Sequence, residues 1–178
     1  MYKKEGLTHI VMIALPWTQK HAPSSKEIPQ PAVDSLRKFL VEFKKQKKKA
    51  AFLYGPSGTG KTAAVYALAK ELNLEILEVN ASDVRNAEGV ETKLGIASKQ
   101  MSLFGLGKVI LVDEIDGLAG NNDRGGAGAV ANVIAETKFP VVLTANDPFD
   151  SKLSSIRTKS VMMEFTAIDY LEITKVLK

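Results

Sequence analysis

Eight residues constrain this chain more than any others: "GPSGTGKT", Gly55 to Thr62. They follow a short apolar run, "AAFLY" (Ala50 to Tyr54), and lead into a stretch with helical spacing from about Lys61 to Leu72. A glycine-rich loop between a strand and a helix offers successive backbone N–H groups, and the positive end of the helix adds to them, which makes a cradle for phosphate. Side chains at Gly58 and Gly60 would crowd the phosphates, the Lys61 ammonium reaches the β and γ phosphates, and the Thr62 hydroxyl ligates Mg²⁺. The pattern predicts a nucleotide site built from Gly55, Pro56, Ser57, Gly58, Thr59, Gly60, Lys61 and Thr62, with Thr62 also a metal ligand.

The elements around the loop alternate. Pro31 to Lys49 reads as a helix with Val33, Leu36, Leu40 and Phe43 on one face and Lys44, Lys45, Lys47, Lys48 and Lys49 toward its C-terminal end. Those lysines suit the negative end of a helix dipole, as a solvated cap or as a DNA contact. "EILEVN" (Glu75 to Asn80) is a second strand, and a helical stretch to about Gln100 follows. "KVILVD" (Lys108 to Asp113) is a third strand, Gly126 to Glu136 a helix, "PVVLTAN" (Pro140 to Asn146) a fourth strand and "VMMEF" (Val161 to Phe165) a fifth. Strands alternating with helices predict an α/β fold, a five-stranded parallel sheet with helices on both faces. Ligands bind such sheets beyond the carboxyl ends of the strands.

The third strand ends on two adjacent carboxylates, Asp113 and Glu114. A buried charge without a partner costs several kcal/mol or shifts its pKa, so a positive partner is required. We expect the third strand to lie beside the P-loop strand, with Asp113 a second ligand of the Mg²⁺ held by Thr62. Glu114 points differently and is placed to polarise water for attack on the γ-phosphate. Asn146 ends the fourth strand in the same row, where an amide can orient water and phosphate; its alternative is a turn residue before Asp147 and Pro148. Asp116 reads as a local loop cap. The candidate catalytic residues are thus Lys61, Glu114 and Asn146, and the metal ligands Thr62 and Asp113.

Composition narrows the classes. A chain of 178 residues, 45% hydrophobic and 25% charged, fits one globular domain. The absence of cysteine excludes disulfides, thiolate zinc sites and thiol nucleophiles. His9 and His21 do not sit among carboxylates at ligand spacing. A net charge of +4 permits nucleic-acid contact without demanding it. The apolar run Ile10 to Leu15 is too short to span a bilayer and is followed by Pro16 and Trp17, so a cytoplasmic protein without membrane partners is expected. Met12 is an alternative start, which would make the first eleven residues an extension, and residues 1–15 as a whole read as an N-terminal extension before the core.

These residues carry a family resemblance. The Gly55 to Thr62 loop, "VILVDEID" and Asn146 resemble the Walker A, Walker B and sensor 1 positions of the AAA+ ATPases. More narrowly, "PWTQKHAP" (Pro16 to Pro23), "EVNASDVRN" (Glu78 to Asn86), "DEIDGLAGNNDRGG" (Asp113 to Gly126) and "TKFPVVLTANDPFDSKLSSIR" (Thr137 to Arg157) resemble the replication factor C clamp loaders, and the large subunit more than the small. The resemblance implies a P-loop NTPase three-layer sandwich: an AAA+ ATP-binding core over residues 16–166 and the start of a truncated helical lid over residues 167–178. It implies ATP and Mg²⁺ as cofactors. It also implies clamp-loader small subunits, a sliding clamp and primer-template DNA as partners.

In this family each ATP is completed by a neighbour's arginine, and Lys159 of "SIRTKSV" stands where that arginine would be donated. Lysine lacks the planar fork suited to a phosphoryl transition state, so the chain is expected to receive an arginine finger rather than give one. Helices facing the ring interior track the duplex backbone, which makes Arg85 and Asn86 DNA-binding candidates, with Thr92 and Lys93 behind them. Arg124 suits either the ring interface or DNA. The sequence departs from the family pattern in "WTQKHAP", where His21 and Ala22 replace a tyrosine and an arginine. Two other classes remain open. One is another AAA+ DNA-remodelling ATPase, which would donate its own arginine. The other is a nucleotide-dependent interaction subunit with little hydrolysis, which would be indifferent to Glu114→Gln.

Overall fold

Parallel strands buried on both faces need continuous apolar runs, and the three central strands of this chain have them. The computed structural model describes residues 24–28, 31–81, 87–95, 107–118 and 125–167. Five strands form one sheet: β1 (Ala50–Tyr54), β2 (Leu74–Asn80), β3 (Gly107–Asp113), β4 (Val141–Ala145) and β5 (Ser160–Glu164). All pairs are parallel and the lateral order is β2-β3-β4-β1-β5. The helices are α1 (Pro31–Val41), α2 (Lys61–Glu71), α3 (Ala87–Val90, continued by a π-helical turn Glu91–Gly95), α4 (Gly126–Glu136) and α5 (Ser154–Lys159).

Alternate side chains of a strand point to opposite faces, and the core divides accordingly. Phe52, Ile110, Val112 and Leu143 face a layer containing Val90, Leu94, Val130, Ile134 and Ile156. Leu53, Val109, Leu111 and Val142 face Leu36, Leu40, Ala64, Val65 and Leu68 on α1 and α2. Helix, sheet and helix make the three layers expected of a P-loop α/β fold.

Two expectations fail. The strand ending in Asp113 does not lie beside the P-loop strand, because β4 pairs with both β1 and β3 and stands between them. Apolar runs and terminal carboxylates mark strands and their ends but carry no lateral order. The first helix also ends at Val41, not Lys49: Phe43–Lys45 is a tight 3-10 turn, and Phe43 packs edge-on against Phe39 at 6.1 Å. The lysines beyond it partly serve other elements. Lys48 donates to the Ser160 carbonyl at 2.8 Å, and Lys49 to those of Ala135 and Thr137 at 3.2 and 2.9 Å. Lys49 therefore caps the C-terminal end of α4, where unpaired carbonyls and the dipole favour a cation.

The other expected strands and helices begin and end within a residue or so of expectation, except that the helical stretch toward Gln100 is described only to Gly95, and the short helix α5 was not expected. The extension, the segment around Trp17 and His21, Arg85, Asn86, Arg124 and residues 168–178, where the lid was expected, lie outside the described residues. No helix among the described residues is long and apolar enough to cross a membrane.

Candidate nucleotide site

The loop from β1 to α2 turns through glycine. Gly55 has φ 139°, Gly58 φ 79° and Gly60, at the N-cap of α2, φ 90°. Within the loop, the Thr59 hydroxyl donates to the Pro56 carbonyl at 2.9 Å. A cleft of about 310 Å³ opens over it at the carboxyl ends of the strands. Ser57 through Ala63 line one side, and Asp113, Glu114, Asp116, Thr144 and Asn146 the other. Gly55 and Pro56 stand behind the cleft, with their carbonyls turned to Lys61.

Lys61 is buried, only 9% exposed. Its ammonium donates to the Gly55 and Pro56 carbonyls at 2.8 and 2.9 Å and to Asn146 Oδ1 at 3.3 Å. Burial lowers its pKa from the ordinary value, and the negative charges of Asp116 and then Asp113 oppose the fall. Among the described residues lining the cleft, Lys61 is the only cation.

The carboxylates face this ammonium. The Thr62 hydroxyl, in the first turn of α2, donates to Asp113 Oδ1 at 2.9 Å, so the two expected metal ligands meet although β4 separates β3 from β1. Their donor set is all oxygen, as Mg²⁺ requires. The described residues contain no cluster of three or more His, Cys, Asp or Glu suited to a metal.

Glu114 is exposed and has φ 56°, a conformation costing a non-glycine residue roughly 1–3 kcal/mol and persisting only where surroundings enforce it. Its N–H donates to Thr144 Oγ1 at 3.0 Å and its carbonyl accepts from Gly117 N–H at 2.9 Å.

Asn146 stands in the bend directly after β4, and from there its amide oxygen accepts from Lys61. The turn beyond is made by Asp147 and Asp150, whose carboxylates accept from Phe149 and Lys152 N–H at 2.8 Å each. Arg157 of α5 donates to the Pro148 and Asp150 carbonyls, each at 2.6 Å, and steadies this loop. Lys159 is exposed at the end of the same helix.

Two residues of the cleft escaped the sequence reading. Asp116 was expected to cap its own loop, but its carboxylate accepts from the Asn146 N–H at 3.0 Å and ties the β3 loop to the end of β4. Thr144 was passed over; its hydroxyl donates to Asp113 and accepts from Glu114. The signal for Thr144 was present, a polar residue inside the apolar "PVVLTAN" with the same strand parity as Asn146.

Comparison with known proteins gives a concordant result. The sequence signature of the ATPase family associated with various cellular activities (AAA) matches residues 51–165. The chain is 51% identical over 144 residues to the replication factor C large subunit of Nanoarchaeum equitans, covering 80% of this chain and 34% of that protein. It is 42% identical over 171 residues to the Staphylothermus marinus protein of the same name, covering 92% of this chain and 40% of the relative. With the Thermofilum pendens protein of that name the figures are 41% over 170 residues, 92% and 41%. The chain spans 34–41% of the length of these relatives.

Proposed function

The chain belongs to the AAA family of ATPases, and from that premise we propose that it is the ATP-binding core of a clamp-loader large subunit. In this reading it binds and hydrolyses ATP so that its complex can place a sliding clamp on primer-template DNA. The observation that carries the ATPase part is the convergence of Lys61, Thr62, Asp113, Glu114 and Asn146 on one cleft from three strand ends. Similarity to proteins named replication factor C large subunit supports the clamp-loader part.

Each side chain has a task in this proposal. The loop N–H groups and the first turn of α2 receive the phosphates, because the first N–H groups of a helix have no intrahelical acceptor. Lys61 exchanges carbonyl oxygens for phosphate oxygens and neutralises their charge. Thr62 and Asp113 would hold Mg²⁺, which when bound would offset the negative charge of the phosphates. Exposed Glu114 accepts a hydrogen bond from water and directs its lone pair toward the γ-phosphate. Asn146, anchored through Asp116, holds Lys61 and orients the same region.

Among the described residues Lys61 is the only cation lining the cleft, and in this reading a second protein cation completes the site beside the metal. A neighbouring subunit's arginine would supply it. Such an arginine contributes ~10³–10⁵ in rate where measured, or about 4–7 kcal/mol of barrier. Arg85 and Asn86 remain the proposed DNA contacts, through phosphates and hence sensitive to salt.

The test is turnover by the chain alone and with small subunits, clamp and primed DNA. Slow hydrolysis alone and strong stimulation in the complex are expected, and Glu114→Gln should retain nucleotide while losing hydrolysis. Equal turnover with and without small subunits would refute the shared site.

A further inference from the structure

Backbone pairing between β3 and β4 stops before the catalytic groups begin. The register runs from Ile110 opposite Val141 to Val112 opposite Leu143, so on the β4 side Asp113 and Glu114 lie beyond the last paired residues. A side-chain hydroxyl spans the gap. Thr144 Oγ1 accepts from the Glu114 N–H at 3.0 Å and donates to Asp113 Oδ1, the oxygen that also accepts from Thr62. Thr144 is 2% exposed, so water cannot readily replace it.

We infer that Thr144 is a positioning residue that orients the Asp113 carboxylate and holds the backbone of Glu114. The chemistry is specific to a hydroxyl, which carries one proton and two lone pairs. The proton goes to Asp113, and a lone pair takes the Glu114 N–H. Valine has the same shape and can do neither, whereas serine can do both. Thr144 lies on β4 and Asn146 one residue past its end, so one strand and its exit set the metal ligand, the water-polarising carboxylate and the amide that meets Lys61. A partner of this kind alters metal affinity or activity by roughly 10–100-fold when removed. The inference deepens the ATPase reading and rests on it for its catalytic consequence, though not for the hydrogen bonds themselves.

The experiment compares Thr144→Val and Thr144→Ser with the parent, as the full chain in complex with small subunits for turnover. Amide exchange of Glu114 and binding of a fluorescent ATP analogue with and without Mg²⁺ are read on the same variants. Thr144→Val should expose the Glu114 amide to faster exchange and raise the Mg²⁺ concentration for half-saturation. It should lower kcat by ~10–100-fold with little change in KM for ATP, and leave binding without Mg²⁺ unchanged. Thr144→Ser should restore most of each effect. Parental kcat, Mg²⁺ dependence and Glu114 exchange in Thr144→Val would overturn the inference, as would a loss that serine does not restore, which marks packing rather than positioning. If Thr144→Val does not fold, Thr144→Ala takes its place under the same criteria. A parent that binds no nucleotide defeats the ATPase reading and the catalytic role together, and unchanged amide exchange separately defeats the hydrogen-bond premise.

Discussion

Two glycines of one loop should fail in opposite ways. At Gly55 a methyl group would lie 1.9 Å from the Phe165 carbonyl oxygen and 2.9 Å from its carbon. The obstacle is backbone, which cannot swing aside as a side chain would. Phe165 is fully buried, and its N–H donates to the Tyr54 carbonyl at 2.7 Å, joining the end of β5 to the end of β1. Gly55→Ala therefore forces this junction apart. Alanine at φ 139° costs about 1 kcal/mol or more, and breaking the buried hydrogen bond costs about 1–3 kcal/mol. Partial withdrawal of Phe165 adds a fraction of the roughly 3–5 kcal/mol lost when a buried Phe is truncated. The total is about 3–5 kcal/mol, against the ~5–15 kcal/mol that holds a typical domain. At Gly58 a Cβ would meet no atom within 4 Å, so Gly58→Ala should cost only the ~1 kcal/mol of its left-handed backbone. Gly58 lines the cleft, however, so its substitution should weaken nucleotide binding. Urea unfolding and nucleotide titration of both variants check the split. If Gly55→Ala unfolds within about 1 kcal/mol of the parent, or if Gly58→Ala loses as much stability as Gly55→Ala, the reasoning is wrong.

Other consequences are equally direct. Burial holds the Lys61 pKa below its ordinary 10.5, so its charge is lost earlier on the alkaline side and nucleotide affinity should fall before that pH. Over the same interval the unfolded chain binds more protons than the folded one, so the Lys61 contribution to folding stability rises with pH. An affinity that stays level up to pH 10.5 would contradict the buried ammonium. Glu71 accepts from Ser25 N–H at 3.0 Å and from Arg37 at 2.7 Å, and hydrogen bonding by the Ser25 hydroxyl, then by Arg37, lowers its pKa from 4.5 to about 2. A lowered carboxylate pKa stabilises the fold above the unfolded value and stops doing so as pH falls through the folded value. Glu71→Gln should therefore flatten the stability profile between about pH 4.5 and 2, which acid titration followed by circular dichroism would test. Removing the Lys49 cap with Lys49→Met should destabilise α4 by about 0.3–1 kcal/mol, and an unchanged urea midpoint would deny it that role.

The glycines, Lys61 and Thr62 could be read from the sequence because the phosphate cradle ties residue type to position: only certain side chains are compatible with close approach to an anion. The ends of β3 and β4 were legible for a similar reason, since an apolar run that stops on Asp113 or Asn146 announces a change from core to solvent. What joins those ends was not legible. The order of strands depends on which helix crosses which face, and neither motif nor periodicity encodes that choice, so β4 was not expected between β1 and β3. Its intervention changes the chemistry of the cleft. Had β3 paired with β1 directly, main-chain bonds would have set Asp113 against the phosphate loop. With β4 between them, the cleft is bridged by side chains instead: Thr62 to Asp113, Thr144 to Asp113, Asp116 to the Asn146 backbone and Lys61 to the Asn146 amide. Side-chain bridges can exchange partners without unzipping a sheet. A ligand entering this cleft can therefore compete for Lys61 and Thr62 while the five-stranded framework beneath them stays paired.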